Sequence, residues 1–387
     1  MLGLYVHIPF CAAICNYCNF NRGLFDGDLK TRYVRALIAE IMRAGAAGTS
    51  GRSAASERGA EGPSADTIYF GGGTPSLLTG EDVATIIGAC RDAFNVTADA
   101  EITLEANPET VTSETLRALR DAGVNRLSFG VQSFRDEELR RLTRLHGVER
   151  AKAAYRDARA AGFDNVSLDL MMWLPGQQVS DWLESVDEAI ALAPDHLSLY
   201  MLEVYPNSPL REDMARSAWS QAPDDDVAAM YTTSMERLQG AGYQQYEISN
   251  VSRPGRMSRH NLKYWTDGEW FGFGCGAHST IGGVRWKNVS ATEEYVARLG
   301  ANQSPAGELR RLSRDERLGD ALFTALRLTG GADIAGINAR YGVDAWSRFG
   351  QDLQRFVEFG LLEVTDDRWR LTRQGMLLAH EVMTVFV

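Results

Sequence analysis

Three cysteines near the start of the chain constrain its fold and chemistry more than any other feature. Cys11, Cys15 and Cys18 follow the run 4–8, which is largely apolar and predicts a buried first strand. Thiolates are soft ligands for zinc and for iron–sulfur clusters, and such close spacing suits a metal centre better than a disulfide. Three thiolates on a four-iron cluster leave one iron open to another ligand. We expect the chemistry of the protein to begin at that iron.

Zinc and inert or redox-active thiols are the alternatives to a cluster. Structural zinc sites prefer four protein ligands, and no fourth cysteine or histidine lies close in the sequence. A redox dithiol needs only two cysteines. The spacing therefore favours an iron–sulfur cluster.

Composition narrows the class of protein. The formal net charge of the 387 residues is -11, which argues against binding to a nucleic-acid backbone. No apolar run reaches the roughly 18 residues of a membrane span, and the amino terminus lacks the basic region of a signal peptide. The five cysteines do not form the pattern of a disulfide framework. We therefore expect a cytoplasmic protein.

The middle of the chain alternates between predicted strands and helices. Predicted strands at 67–70, 101–105, 125–130, 165–170 and 196–202 are each followed by a helical pattern. Repeated βα units indicate a parallel sheet with right-handed crossovers. Polar residues recur just beyond the strand ends, which favours a partial barrel over a doubly wound sheet. The sequence thus predicts an α/β fold with a partial (β/α)6-type barrel over residues 1–250.

The other segments differ in character. Residues 45–65 are rich in Gly, Ala and Ser and are predicted to be a flexible insertion. Residues 251–305 are predicted to be an aromatic-rich, loop-rich connection. Residues 306–387 predict a small α+β, winged-helix-like domain, made of helices at 314–328 and 344–359, a hairpin at 361–372 and a final helix.

The cysteine spacing resembles that of the radical S-adenosylmethionine (SAM) superfamily, in which SAM chelates the fourth iron. Seven further motifs narrow the resemblance to the HemN/HemW group and extend it over nearly the whole chain. They are Tyr-Val-His-Ile-Pro-Phe-Cys (5–11), Gly-Gly-Gly-Thr-Pro-Ser (71–76), Glu-Ala-Asn-Pro (105–108), Gly-Val-Gln-Ser-Phe (130–134), Arg-Leu-His-Gly (144–147), Asp-Leu-Met (169–171) and Leu-Pro-Gly-Gln (174–177).

This resemblance implies which residues bind the cofactors. The three cysteines would hold a [4Fe–4S] cluster, and Tyr17 would border the adenine of SAM. The glycine run would line the methionyl amino group, since a missing Cβ lets backbone approach a ligand closely. No catalytic residue is assigned. The implied SAM contacts are Tyr5, Tyr17, Gly72, Gly73, Thr74, Glu105, Gln132, Arg144 and Asp169.

Two features separate the functional types within the group. The oxygen-independent coproporphyrinogen III dehydrogenases carry an amino-terminal arm and commonly another cysteine where this chain has Phe20. The HemW-type haem chaperones carry His-Asn-x-x-Tyr-Trp, which is present here with His260, Tyr264 and Trp265. A neutral imidazole can ligate haem iron, and aromatic rings can stack on a porphyrin. The alternative is a loop whose aromatic rings pack on the barrel.

The predicted function is a haem chaperone that binds a [4Fe–4S] cluster, SAM and haem. It would deliver haem to acceptor proteins, membrane-associated respiratory enzymes among them, as a monomer or a cluster-dependent dimer. The alternatives are a coproporphyrinogen III dehydrogenase acting by radical SAM oxidative decarboxylation, and a radical SAM enzyme acting on haem. Five residues depart from the group's pattern: Asn16, Asn19, Trp173, Met201 and Tyr205. These departures do not affect cluster binding, but they bear on the far wall of the site and on whether SAM is cleaved.

Overall fold

A computed structural model describes residues 1–50 and 63–387 of the chain, without the side chains of 47–50. Within these residues the strands form a large mixed sheet, a small three-stranded sheet and a short separate pair. The strands are β1 (Leu2–Ile8), β2 (Phe10–Cys11), β3 (Gly23–Leu24), β4 (Ser64–Gly72), β5 (Asn95–Ala106), β6 (Arg126–Gln132), β7 (Val166–Met172), β8 (His196–Met201), β9 (Gln244–Glu247), β10 (Asn250–Ser252), β11 (Trp270–Phe273), β12 (His278–Ile281), β13 (Val284–Lys287), β14 (Arg310–Arg311), β15 (Ala332–Asp333), β16 (Leu362–Val364) and β17 (Arg368–Leu371).

Helices fill most of the connections between these strands. They are α1 (Gly27–Ser50), α2 (Gly80–Ala93), α3 (Ser113–Asp121), α4 (Asp136–Arg141), α5 (Val148–Ala160), α6 (Val179–Leu192), α7 (Pro209–Ser217), α8 (Asp224–Gly240), α9 (Arg259–Trp265), α10 (Thr292–Gly300), α11 (Arg314–Ala325), α12 (Ile334–Tyr341), α13 (Ala345–Glu358), α14 (Arg373–Leu377) and α15 (Ala379–Met383). Among the described residues, no helix is both long and apolar enough to span a membrane.

The large sheet confirms the predicted fold class. Its central strands β1, β4, β5, β6, β7 and β8 lie side by side in chain order and run parallel. Right-handed crossovers between strands in this order place the intervening helices on one face. Additional strands extend the sheet beyond β1 and beyond β8, so it is an open, partial barrel.

The two faces of the central sheet differ in polarity. In β5, Ile102 and Leu104 are buried in the apolar core beneath the helices, whereas Glu101, Thr103 and Glu105 belong to the opposite alternate positions. The same alternation runs through β4, β6, β7 and β8. We call the polar face the lumen. A strand with one polar face alternates, unlike the continuous apolar run of a parallel strand that is buried on both faces.

The predicted flexible insertion at 45–65 is wrong at both of its ends. The helix α1 continues to Ser50, and β4 begins at Ser64. The small residues here permit close helix packing, because a Cβ on Gly45 would lie 2.5 Å from the carbonyl oxygen of Ala93 in α2. Residues 51–62 of the predicted insertion lie outside the described residues.

The segment 251–305 is not a loop-rich connection. It supplies β11, which pairs parallel with β1, and then the antiparallel strands β12 and β13. Its aromatic side chains pack on one another: the rings of Phe271 and Phe273 stack at 4.6 Å, and Trp286 meets Phe271 edge-on at 5.3 Å. At the other end of the sheet, β9 and β10 form a hairpin, and β10 separates β9 from β8.

The carboxyl-terminal region has its own apolar core, which includes Leu322, Leu353 and Trp369. The predicted helices and hairpin are present, together with α12 and β15, which the sequence analysis missed. Signals for α12 exist, since Asp333 caps its first turn and Gly342 ends it at a φ of 54°. The small sheet has the order β15-β17-β16, and the helices α11, α12, α13 and α14 pack against its strands. The predicted domain limits at 250 and 305 stay predictions.

The pair between Glu247 and Arg327 joins this region to the end of the large sheet. The Glu247 carboxylate is fully buried and accepts hydrogen bonds from Arg327 Nη2 at 2.8 Å, the Ser249 N–H at 2.8 Å and Asn250 Nδ2 at 2.5 Å. Removing one member of a buried pair leaves an uncompensated charge.

Replacing Arg327 with methionine should therefore lower the free energy of unfolding by about 3 kcal/mol in urea titrations. The matched control is Arg348→Met, because its pair with Asp315 is exposed and should contribute less than about 1 kcal/mol. Equal effects of the two substitutions would contradict the prediction.

Candidate cofactor site

The cysteine loop is closed at its base by two short strands. β2 and β3 pair in parallel, with Phe10 opposite Gly23 and Cys11 opposite Leu24. The N–H of Gly23 also donates to the carbonyl of Pro9 at 2.6 Å. The loop between these strands therefore leaves the end of β1 and returns to the same place, with all three cysteines on it.

Asn16 ties the middle of this loop to the barrel. Its backbone N–H donates to Thr143 Oγ1 at 3.0 Å, and its Nδ2 donates to the Arg141 carbonyl and to Asp213 Oδ2, both at 2.9 Å. The side chain is buried. These bonds to the end of α4 and to α7 hold the middle of the loop in place.

A cavity of about 360 Å³ opens beside the loop at the carboxyl ends of the central strands. All three cysteines line it, and none of them is in a disulfide. Every predicted SAM contact except Tyr5 lines it as well: Tyr17, Gly72, Gly73, Thr74, Glu105, Gln132, Arg144 and Asp169. Tyr5 lies behind the wall, where its ring stacks on that of Tyr69 at 6.2 Å.

The donor set fits a cluster better than a single ion. Among the described residues, no three His, Cys, Asp or Glu side chains converge on a position for one metal ion. A cubane instead takes its thiolates on different irons. Burial raises the pKa of the Cys11 and Cys18 thiols, and Arg144 Nη1 lies 3.4 Å from Cys15 Sγ. The guanidinium thus places a positive charge beside the cysteine loop.

The glycine run owes its composition to packing. Gly72 has a φ of 116°, and a Cβ there would lie 2.5 Å from the His7 ring. A Cβ on Gly73 would lie 2.7 Å from the Phe10 carbonyl oxygen. Both contacts involve the segment that carries the cysteines. Glycine is required here because β4 passes close to that segment, which differs from the reason that the sequence analysis gave.

Two carboxylates face the cavity from adjacent parts of the lumen. Glu105 accepts hydrogen bonds from the Tyr69 hydroxyl at 2.8 Å and the Gly72 N–H at 3.1 Å, and burial raises its pKa to about 7. Asp169 accepts from Ser128 Oγ at 3.1 Å, and burial raises its pKa as well. Ionised carboxylates of this kind accept hydrogen bonds from ligand hydroxyls.

Two further predicted residues have polar atoms that no described residue satisfies. Gln132 has a φ of 69° at a bulge in β6, and its Oε1 is buried without a partner among the described residues. Arg144 donates to Asn107 Oδ1 at 2.6 Å and the Gly130 carbonyl at 2.9 Å, while its buried Nε has no partner within the same residues. Such atoms at a cavity wall fit a polar ligand.

The assignment of His260 as a haem ligand stays a prediction, and the structure shows its imidazole buried and hydrogen-bonded within the protein. The side chain is 1% exposed and lies on α9, which packs against the lumen from below. Its Nδ1 bonds Thr67 Oγ1 at 2.8 Å and its Nε2 bonds the Tyr264 hydroxyl at 3.0 Å. Burial lowers its pKa to about 3. Both ring nitrogens are therefore occupied.

The two other members of the motif also pack within the protein. The Tyr264 ring meets Trp270 edge-on at 4.8 Å, and the Arg327 guanidinium lies 4.5 Å from the Trp265 ring. This is the packing alternative that the sequence left open.

Several residues of the cavity were not predicted from the sequence, among them Tyr69, Arg126, Ser128 and Ser198. A signal for them exists, because each shares the lumen face of its strand with the residues that were found. Ser128 pairs in register with Glu105, and Ser198 pairs with Asp169. Strand alternation could have located these positions.

A second buried carboxylate fixes the loop that carries Gly-Cys-Gly-Ala-His (274–278) to α1. Glu40 accepts hydrogen bonds from the Gly274 N–H at 2.8 Å, Asn288 Nδ2 at 2.7 Å and the Tyr295 hydroxyl at 2.6 Å. Burial outweighs these bonds and raises its pKa to about 7.

Between pH 4.5 and about 7 the Glu40 carboxyl is protonated in the folded state but has lost its proton in the unfolded state. The free energy of unfolding should therefore fall as the pH rises through that window. The effect is about 3 kcal/mol. Glu40→Gln should gain about that much relative to the native chain between pH 5 and pH 8, measured by urea unfolding at both values. A difference that does not change with pH would contradict this assignment, and Glu81→Gln on the exposed surface is the matched control.

The fold and the cysteine cavity define a radical SAM protein. Residues 5–189 match the model of the radical SAM superfamily, and residues 312–378 match the HemN C-terminal domain. The structure of coproporphyrinogen III oxidase (HemN) from Escherichia coli superposes with a TM-score of 0.85 at 25% identity, covering 100% of this chain and 89% of that one.

Full-length relatives define the family more closely. The chain is 34% identical to the heme chaperone HemW of Bacillus subtilis, covering 100% of this chain and 99% of that protein. It is 38% identical to the heme chaperone HemW of Mycobacterium tuberculosis, covering 98% and 93%. The chain therefore belongs to the HemW family. Membership of the radical SAM superfamily implies a [4Fe–4S] cluster and SAM, and the relatives support the HemW interpretation over the dehydrogenase.

Proposed function

We propose that this protein is a haem chaperone that binds a [4Fe–4S] cluster, SAM and haem and delivers haem to acceptor proteins. The observation that carries the proposal is its similarity over the full length to proteins named heme chaperone HemW. The cytoplasmic location, the acceptor proteins and a cluster-dependent dimer stay predictions of the same resemblance.

The cofactor roles follow from the cavity. Cys11, Cys15 and Cys18 would hold the cluster, with the guanidinium of Arg144 offsetting its negative charge. The remaining residues of the wall would bind SAM: Tyr17, Gly72, Gly73, Thr74, Glu105, Gln132 and Asp169. Tyr5 would support that wall from behind. When bound, the two cofactors supply radical chemistry by reductive cleavage of SAM.

Haem requires a separate surface, because a cavity of about 360 Å³ has room for one ligand of SAM's size. Exposed apolar side chains surround its mouth. Phe20 is 64% exposed and Met201 is 51% exposed, and Ile14 and Tyr200 accompany them. Large apolar side chains that cluster in the open usually mark a binding surface. We assign the flat porphyrin to this mouth.

Product analysis tests the function. The cluster is reconstituted anaerobically, and SAM, a reductant and either haem or coproporphyrinogen III are added. Intact haem that is retained and then passed to an apo-acceptor supports the chaperone. Protoporphyrinogen formed with matching 5′-deoxyadenosine would overturn it in favour of the dehydrogenase, and a linear tetrapyrrole would favour an enzyme acting on haem.

The haem surface has its own test. Phe20→Ser and Met201→Ser should weaken haem binding while SAM binding persists. Phe359→Ser is the matched control, since Phe359 is equally exposed but lies in the carboxyl-terminal region. Equal effects of all three substitutions would place haem elsewhere.

A further inference from the structure

Arg126 is a buried cation that no described residue pairs with. It begins β6, lines the cavity and is 1% exposed. Its Nε is shielded from solvent without a hydrogen-bond partner, and no hydrogen bond or ion pair joins its guanidinium to another described residue. A buried guanidinium without partners is costly, so the position calls for a compensating role.

The strand register sets Arg126 beside the two carboxylates of the cavity. Ser128, two residues further along the same face of β6, lies opposite Glu105 and donates to Asp169. A strand rises about 3.3 Å per residue, so the backbone of Arg126 lies roughly 6.6 Å along β6 from that of Ser128. The attraction of Arg126 lowers the pKa of each carboxyl against the opposing effect of burial.

The other two arginines of the cavity wall interact with the cysteine loop. Arg144 is committed to Cys15, Asn107 and Gly130, and Arg22 donates to the Cys18 carbonyl. Both therefore belong to the cysteine loop. Among the described residues lining this cavity, Arg126 is the cation left for Glu105 and Asp169.

The remaining titratable groups of the lumen around Arg126 and the two carboxylates stay neutral near pH 7. Burial raises the pKa of the tyrosines far above this range and lowers that of the histidines below it. These groups are Tyr5 on β1, Tyr69 on β4, His196 and Tyr200 on β8, Tyr246 on β9, and His260 and Tyr264 on α9. Two other glutamates are bonded to other partners: Glu101 accepts backbone N–H groups of α9, and Glu247 pairs with Arg327.

We propose that Arg126 is a positioning residue whose charge favours the ionised forms of Glu105 and Asp169, so that they accept hydrogen bonds from the ribose hydroxyls of SAM. Hydrogen bonds to an ionised carboxylate are about twice as strong as those between neutral groups. A protonated carboxyl group loses that advantage. This inference rests on the proposed binding of SAM in the cavity. Arg126 touches no reacting atom and acts through the two carboxylates.

The test is the pH profile of cofactor binding by the reconstituted holoprotein, with S-adenosylhomocysteine as a stable probe. Removing a nearby positive charge raises carboxyl pKa values by one unit or more. For Arg126→Met, the pH at which binding weakens should rise by about one unit, with binding about tenfold weaker at pH 6. The dissociation constants of the variant and the native chain should converge by pH 9. Arg126→Lys should keep the native profile.

Matched variants keep the test decisive. Arg150→Met removes an arginine that serves backbone carbonyls outside the lumen and should leave the profile unchanged. If Arg126→Met does not fold, Arg126→Gln makes the same prediction. A loss of affinity equal at all pH values, or no loss, would overturn the role of Arg126. Failure of the native protein to bind the probe would instead overturn the proposed function.

Discussion

Replacing Cys15 with alanine should abolish the iron–sulfur cluster. Iron content after anaerobic reconstitution should fall from about four atoms per chain to less than one. The two remaining cysteines cannot compensate for the missing ligand, because the loop that carries them is fixed at its base by the pairing of β2 and β3 and at its middle by Asn16. Iron and sulfide analysis of the purified protein measures the effect.

The matched control uses a cysteine that is not on the loop. Cys90 is fully buried among apolar side chains on α2, away from the cavity wall. Cys90→Ala should keep the full iron content, although it removes the same chemical group. Retention of iron by the Cys15 variant, or its loss from the Cys90 variant, would contradict the assignment of the cluster to the loop.

The central strands could be predicted because their signals are local. Each strand alternates in polarity, polar residues recur near the strand ends, and consecutive βα units pair in chain order. The position of β11 could not be predicted in this way. It pairs with β1 although most of the barrel separates the two strands in sequence, and its register depends on tertiary packing.

The residues of the site show the same difference between local signals and tertiary packing. Glu105 and Asp169 were found because they belong to motifs at strand ends, where the parallel strands of a barrel bring residues together. Arg126 was not predicted because it lies at the beginning of its strand, away from the motifs at the strand ends. Only the curvature of the sheet around the lumen brings it to the cavity. The burial of His260 could not be predicted for a related reason. Its chemistry suits a metal, but its burial depends on how α9 packs against Thr67 and Tyr69.

The position of His260 predicts that its removal damages the fold before it affects haem. His260→Ala should lower the free energy of unfolding by about 3 kcal/mol, measured without haem in urea. The substitution leaves a cavity under the Tyr69 ring, which stacks on the imidazole at 5.0 Å. It also removes the partners of Thr67 and Tyr264, both of which are hydrogen-bonded to the imidazole.

Tyr264→Phe is the control that separates packing from ligation. It removes one hydrogen bond to the imidazole and should cost only about 1 kcal/mol. If His260 acts through packing, haem binding per folded molecule should stay near the native level in both variants, and the absorption spectrum of bound haem should not change. If His260→Ala keeps the native stability but loses the haem spectrum, α9 must open to present an axial ligand. The buried position then describes a haem-free state, in which the barrel itself covers the ligand.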